Sequence, residues 1–239
     1  MTAVVGRRLL AEFTGTGLLV AVVVGTGIAV TRLTADGAVR LLVDSVATAL
    51  GLAVLILVFA PASGAHFNPV VTAADWLLAR RGPDRYGPGV AAAVMACQVA
   101  GAVGGAALAD AMFGVQVLAA SRTRRGGIPV LLGEVVATAG LLLLIVTLTR
   151  TGRTQHAAWS VGAWIGAAYW FTSSTSFANP AVTIGRTLTN TYAGIAPASA
   201  PAFIVAEIIG GGLGTLLAVI VHPVQPPRMG PTQPVKLAG

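Results

Sequence analysis

Uncharged runs long enough to cross a lipid bilayer recur along the whole of this 239-residue chain. A helix needs about 20 apolar residues to span the hydrocarbon core. A soluble fold would need more charge than this chain has, because only 10% of its residues are charged and 55% are hydrophobic. The sequence therefore predicts an all-α membrane protein with several spans. The uncharged or nearly uncharged runs are residues 13–31, 45–74, 86–109, 126–149, 154–185 and 187–227.

The excess positive charge does not predict a nucleic-acid partner. The net charge is +7, but the basic residues lie singly or in short groups between apolar runs. That distribution is typical of the flanks of membrane spans, whereas nucleic-acid binding requires a clustered basic face. The single cysteine, Cys97, lies inside an apolar run and is expected to be a buried free thiol. The sequence predicts neither a metal site nor a cofactor.

Two of the uncharged runs are too long for a single span. Residues 45–74 break at Pro61–Gly64, and residues 154–185 break near Ser173–Ser176. Each break leaves an apolar remnant of about 10–14 residues, a length typical of re-entrant half-helices. We therefore expect six transmembrane helices and two half-helices, with the last span at about residues 200–221.

An internal repeat organises these segments. Ser63–Thr72 aligns with Ser174–Thr183 at a constant separation of 111 residues, and Glu12 in the first span has a counterpart in Glu134. Three spans per repeat is an odd number, so the second copy must enter the membrane from the opposite side. An inverted 3+3 repeat with interrupted helices at matching positions is typical of a pathway through the middle of the membrane.

The charges in the loops indicate the orientation only weakly. If both termini are cytoplasmic, nine Arg and Lys residues lie inside and six outside, although the Arg122–Arg125 cluster opposes this arrangement. We expect a multi-pass protein of the cell's inner (plasma) membrane with both termini in the cytoplasm. One transmembrane domain should cover residues 1–239, with repeats at about 7–109 and 126–221 and a disordered Pro-rich tail at 222–239.

Two Asn-Pro pairs, in Asn68-Pro69-Val70 and Asn179-Pro180-Ala181, carry the chemistry. Proline at the first helical position loses no intrahelical hydrogen bond, and the asparagine before it can cap the helix. Because the repeats are inverted, the two half-helix N-termini should meet near the bilayer centre, each with about half a positive charge. A neutral hydroxylic molecule gains hydrogen bonds from the asparagine amides there, whereas a cation meets a positive field.

These motifs resemble a known family. The run Ser63–Val70 and the triplet Asn179-Pro180-Ala181 resemble the twin Asn-Pro-Ala boxes of the aquaporin and aquaglyceroporin channels, and Ala11–Thr16 resembles that family's first-span motif. The resemblance covers essentially the whole chain. It implies a passive channel for small neutral solutes in the lipid bilayer, assembled as a homotetramer with one pore in each protomer.

The same resemblance implies roles for four residues. Asn68 and Asn179 should line the pore, and Glu12 and Glu134 should be buried. An acid inside a span must find partners, and the backbone N–H groups of the re-entrant loops are the partners we expect. His66, beside the first Asn-Pro pair, should lie in the cytoplasmic half of the pore or remain an ordinary loop histidine.

The narrow point of the pore is expected to depart from the family pattern. The family usually has an arginine directly after the second box, where this chain has Val182. The nearest arginine, Arg186, follows after about 6 Å of helix, which places it at the extracellular mouth. Counting back from Asn179 adds Ser176 and Ala167, and the second span adds Thr48 or Leu50, depending on the loop length. This set predicts a wide, apolar filter with neither a bulky wall nor a cationic donor.

Such a filter favours neutral solutes larger than water. It is similar to that of the bacterial branch associated with arsenic resistance, which also has valine here and a similar Thr-Ile-Gly-Arg-Thr-Leu stretch. The candidate solutes are therefore water, glycerol-like polyols, undissociated arsenite and methylated arsenicals. A coupled secondary transporter and a non-conducting scaffold remain alternatives, while the sequence contains no hydrolase motif in its spans, so an enzyme is not expected.

Overall fold

The computed structural model describes residues 2–79 and 86–223, and within them the chain forms eight α-helices. A 3₁₀ turn, Thr154–His156, precedes the sixth helix. The helices are α1 (Thr2–Leu33), α2 (Gly37–Ser63), α3 (Pro69–Ala79), α4 (Pro88–Met112), α5 (Ile128–Arg150), α6 (Ala157–Phe171), α7 (Pro180–Arg186) and α8 (Ala200–Val221).

The helices occur in the order that the uncharged runs predict. Five of those in the described residues, α1, α2, α4, α5 and α8, are long and apolar enough to cross a membrane. The expected fifth span is shorter, because α6 has 15 residues and gains length only from the turn before it. The two half-helices are α3, with 11 residues, and α7, with 7.

The break before the first half-helix follows from the local sequence. Helix α2 ends at Ser63, and the following residue, Gly64, adopts a left-handed conformation with φ 91° and donates its N–H to the Ala60 carbonyl. Glycine adopts this conformation without the steric penalty of a Cβ. The chain can therefore reverse inside the bundle and begin α3 a few residues later.

Packing between the helices repeats from the first half of the chain to the second. Helix α1 packs against α4, α5 packs against α8, and α2 packs against α6 across the junction of the repeats. A Cβ added at Gly105 in α4 would overlap the Gly17 carbonyl oxygen, and one at Gly214 in α8 would overlap that of Ala139. Both helix pairs therefore approach so closely that only glycine fits at these crossings.

The outward faces of the bundle are apolar, as lipid or a second protomer requires. Large aliphatic side chains of α2 and α8, such as Leu57 and Leu216, are more than half exposed. Cys97 is half-buried on α4 rather than buried as expected. Most of the expected Pro-rich tail at residues 222–239 lies outside the described residues, as do residues 80–85.

Candidate pore and its constriction

The two half-helices begin at the Asn-Pro pairs, and each asparagine caps the helix that follows it. The Asn68 side-chain oxygen accepts a hydrogen bond of 2.9 Å from the Val70 N–H. The Asn179 side-chain oxygen accepts one of 3.0 Å from the Ala181 N–H. These bonds satisfy donors that a helix N-terminus otherwise leaves unpaired.

The same two asparagines also join the half-helices to each other. The Asn68 amide nitrogen donates to the Ala178 carbonyl at 2.7 Å, and the Asn179 amide nitrogen donates to the Phe67 carbonyl at 2.7 Å. Each amide group has two hydrogens, so one remains for another acceptor. Both asparagines line the central cavity, where that second hydrogen can meet a solute oxygen.

Glu12 holds the first re-entrant loop to α1. Its carboxylate accepts hydrogen bonds from the backbone N–H groups of His66 and Phe67, at 2.9 and 2.7 Å. It also accepts one from the Gln98 side chain at 2.7 Å, and that amide reaches Thr72 at 2.8 Å. The acid is fully buried, so charge-assisted hydrogen bonds replace its hydration.

Glu134 does the same for the second loop. It accepts from the N–H groups of Phe177 and Ala178, at 2.9 and 2.7 Å, and is also fully buried. In each loop, the two backbone N–H groups can point toward the same carboxylate because alternate loop residues adopt positive φ. These residues are Ala65 and Phe67 in the first loop, matched by Ser176 and Ala178 in the second.

A cavity of about 860 Å³ passes both asparagines. At the end on the side of the chain termini, the cavity reaches Arg8 and Tyr86. At the opposite end, called the outer end below, it reaches Tyr169 and Arg186. The residues expected in the pore that line this cavity are Thr48, His66, Asn68, Ser176, Asn179, Val182 and Arg186.

A polar cluster surrounds the mouth on the side of the termini. The His66 ring contacts the Thr72 hydroxyl at 3.1 Å, and its other nitrogen lies 3.9 Å from the Asp75 carboxylate. The Tyr86 hydroxyl donates to the same carboxylate at 2.9 Å, and the Arg8 guanidinium lies 3.9 Å from it. Burial and the nearby Asp75 charge raise the pKa of Tyr86, so this hydroxyl stays protonated at neutral pH.

The outer end of the cavity contains an aromatic ring and a cation. The Tyr169 hydroxyl contacts the Thr48 hydroxyl at 3.2 Å, which closes the wall between α2 and α6. The Arg186 guanidinium lies 3.5 Å from the centre of the Phe177 ring, and its Nε donates to the Ala193 carbonyl. This end is therefore neither purely apolar nor free of a guanidinium.

Two expectations about the constriction need correction. Leu50 is 55% exposed on the outside of α2, so Thr48 is the residue of α2 that faces the cavity. Ala167 is exposed on α6, and Tyr169, two residues later, takes its place. Arg186, expected at the pore mouth or in its lining, is only 2% exposed and lines the outer end of the cavity.

Sequence reasoning missed Tyr169 because the residues between it and Asn179 do not follow a helix. Helix α6 ends at Phe171, and Thr175, Ser176 and Ala178 adopt positive φ before α7 begins. A fixed offset across such a loop cannot determine which face of α6 points inward. The sequence offered no signal for Tyr169, because its contact with Thr48 of α2 forms only in the folded chain.

Within residues 2–79 and 86–223, the acids, histidines and cysteine form no group of three that could hold a metal ion.

Comparison with known protein families shows to which family this chain belongs. The family model described as major intrinsic protein matches residues 2–175. The chain belongs to the major intrinsic protein family. It is 45% identical over 224 residues to Aquaglyceroporin AqpS of Rhizobium meliloti (strain 1021), and the match covers 92% of each chain. A shorter match, 41% identical over 110 residues, is to Probable aquaporin PIP2-8 of Oryza sativa subsp. japonica, and covers 45% of this chain and 37% of that protein.

A solved structure shows that the fold is that of the family. The X-ray structure of the aquaglyceroporin from Plasmodium falciparum matches with a TM-score of 0.69 at 18% identity, covering 89% of this chain and 95% of that one. The expected aquaporin-like fold is therefore confirmed. This member of the major intrinsic protein family is a multi-pass integral membrane protein and a passive channel for water or small solutes, and it is not an enzyme. Family membership therefore supports a passive channel rather than a coupled transporter or a scaffold.

Proposed function

We propose that this channel conducts small neutral polar molecules, namely water, glycerol-like polyols, undissociated arsenite and methylated arsenicals. The observation that carries the proposal is the cavity of about 860 Å³ that passes both asparagine amides. Its walls are mainly apolar, and its polar lining includes both asparagine amides. A hydroxylated neutral solute exchanges its hydration for these donors, whereas an ion loses more hydration than it regains.

The filter of this channel is the set of residues at the outer end of the cavity. It consists of Thr48, Tyr169, Ser176, Val182 and Arg186. The Arg186 guanidinium lies one helical turn after Val182 and supplies positive charge from there. Together with the N-termini of α3 and α7, this charge opposes the passage of cations.

We also propose an arrangement in the membrane, which the apolar outer faces and the number of crossings support. Six crossings place both termini on the same side, and we assign that side to the cytoplasm of the inner membrane. The apolar outer faces of α2 and α6 suit contact with further copies in a homotetramer. The single channel domain has two repeats, at about residues 7–109 and 126–221.

A permeability panel tests the proposed solutes. The purified protein is reconstituted into vesicles, and stopped-flow light scattering measures the permeation of water, glycerol, urea and arsenite. We expect non-saturating flux of glycerol and arsenite above that of protein-free vesicles. Flux of water alone would contradict the proposed solute class, and saturable uptake driven by an ion gradient would contradict a passive pore.

Val182→Arg tests the proposed filter. A second guanidinium beside Arg186 adds bulk and positive charge at the outer end, so glycerol and arsenite flux should fall more than water flux. Val182→Leu is the matched control, because it adds bulk without charge and should have a smaller effect. Unaltered selectivity in Val182→Arg would mean that this residue does not face the constriction.

A further inference from the structure

Asp75 is the centre of the polar cluster at the inner end of the cavity, the end on the side of the chain termini. Its Oδ2 atom lies near Arg8 of α1, His66 of the first re-entrant loop and Tyr86 just before α4. All four residues line the cavity, and the Asp75 side chain is 41% exposed. A solute that enters from this side can therefore reach the Asp75 carboxylate.

The three neighbours of Asp75 lie at two different distances from it. The Tyr86 hydroxyl donates a direct hydrogen bond to Oδ2 at 2.9 Å and holds the carboxylate in place. The Arg8 Nη2 atom and the His66 Nε2 atom each lie 3.9 Å from the same oxygen. That separation is too long for a direct hydrogen bond, but a single hydroxyl oxygen between the two atoms can contact both of them.

A chain of hydrogen bonds determines which nitrogen of His66 carries the hydrogen. The Gln98 amide uses its two hydrogens for Glu12, at 2.7 Å, and for the Thr72 hydroxyl, at 2.8 Å. The His66 Nδ1 atom, 3.1 Å from that hydroxyl, is the acceptor that the described residues offer to the hydrogen of Thr72. From this network we assign the hydrogen of the neutral ring to Nε2, which presents it as a donor on the side of Asp75.

The Arg8 guanidinium is held in place by an aromatic ring. Its Cζ atom lies 4.2 Å from the centre of the Tyr86 ring, which is a cation–π contact, and the Arg8 side chain remains 20% exposed. Arg8 and His66 therefore present two donors to one shared acceptor, each across a gap of the same length.

We propose that Asp75, His66 and Arg8 form a binding subsite at the inner end of the pore for neutral solutes with two hydroxyl groups on the same or neighbouring atoms. This inference rests on the proposed function and names the solutes that the channel favours, such as glycerol and undissociated arsenite. One hydroxyl accepts from His66 and donates to Asp75, and the next accepts from Arg8 and donates to Asp75. Water can make the same bridges, but two molecules must then be immobilised instead of one.

The chemistry of the subsite distinguishes hydroxyl groups from amides. A hydroxyl oxygen both donates and accepts, so one atom can fill each gap, whereas in urea the nitrogen atoms donate and the oxygen accepts. Urea therefore cannot bridge a donor and an acceptor that are only 3.9 Å apart with a single atom. The opposite charges of Arg8 and Asp75 offset each other, so neither a cation nor an anion is favoured over a neutral polyol.

The ratio of glycerol to urea permeability tests the subsite, measured by stopped-flow light scattering on reconstituted vesicles after subtraction of protein-free vesicles. Asp75→Ala removes the shared acceptor, which costs glycerol two hydrogen bonds and urea one. We expect the ratio to fall about five-fold, which corresponds to one net hydrogen bond of about 1 kcal/mol. Asp36→Ala is the matched control, because Asp36 is an exposed acid outside the cavity, and it should leave the ratio unchanged.

A merely structural role of Asp75 would lower the flux of both solutes equally and leave their ratio unchanged. That result, or a fall in the ratio that Asp36→Ala shares, overturns the proposal. If Asp75→Ala does not assemble, Tyr86→Phe is judged by the same ratio, because it keeps the ring beside Arg8 and removes the hydroxyl that holds Asp75. We expect a fall of about two-fold in Tyr86→Phe, and an unchanged ratio there also overturns the proposal.

The same measurements separate this subsite from the proposed function. Wild-type vesicles without glycerol flux would refute the proposed function and the subsite with it. Glycerol flux in the wild type, with a ratio that Asp75→Ala leaves unchanged, would refute the subsite alone.

Discussion

Replacing Glu12 with leucine should destabilise the first re-entrant loop. The carboxylate accepts the N–H groups of His66 and Phe67, which are otherwise enclosed by the bundle. Each buried donor left without an acceptor costs about 1–3 kcal/mol, so two cost about 2–6 kcal/mol. Gln98 keeps its bond to Thr72 and adds little to this sum. For a chain of this size, the loss corresponds to a fall of about 5–20 °C in the unfolding midpoint.

Glu12→Gln is the matched control, because glutamine has nearly the same shape as glutamate but carries no charge. It keeps one acceptor oxygen, so one of the two loop donors remains satisfied and the midpoint should fall by about half as much. Glu134→Leu should repeat the full effect in the second loop, because its carboxylate has the equivalent pair of N–H partners. The midpoint is measured by circular dichroism on detergent-solubilised protein during heating.

A midpoint for Glu12→Leu within about 2 °C of the wild type would refute this reasoning, since a change that small corresponds to less than one orphaned donor. Such a result would mean that the loop N–H groups find other acceptors after a local rearrangement. A large fall in both Glu12→Leu and Glu12→Gln, with no difference between them, would refute the role of the individual hydrogen bonds and leave only the charge.

Two further substitutions test the path itself. Asn179→Leu removes both the donor in the pore and the bond to the Phe67 carbonyl, so solute flux should fall at least ten-fold in correctly inserted protein. Asn190→Leu in the outer loop is its control. Equal solute flux in the two variants would contradict the role of Asn179 in the pore. Tyr169→Ala removes the ring at the outer end, so larger polyols such as erythritol should begin to permeate, as measured by light scattering. Exclusion of erythritol by both the wild type and Tyr169→Ala would mean that the narrow point lies elsewhere.

The features that repeat in the sequence were predictable from it. The separation of 111 residues identified both half-helices, and the pairing of Glu12 with Glu134 identified two buried acids. An acid inside an apolar run has few ways to be satisfied, so its partners could be inferred before any contact was known.

The filter was less predictable because its residues come from elements joined by irregular loops. Helix rotation decides whether Ala167 or Tyr169 faces inward, and a loop with left-handed residues hides that rotation from sequence counting. The burial of Asp44 on α2 could not be predicted for a different reason. Asp44 stands at the start of an uncharged run, where a charge is ordinarily assigned to the membrane surface, but the helix buries it.

The crossed hydrogen bonds of the two asparagines have a consequence for how the channel is made. The Phe67 carbonyl is paired with Asn179, so the first re-entrant loop lacks one of its partners until the last third of the chain has entered the membrane. Helices α1 to α4 alone would expose that carbonyl and the face of α2 against which α6 packs. During membrane insertion, helices α1 to α4 must therefore stay close to the insertion machinery, or remain loosely packed, until helices α5 to α8 have been inserted. A chain interrupted after α4 should be a substrate for membrane proteases rather than a half-channel.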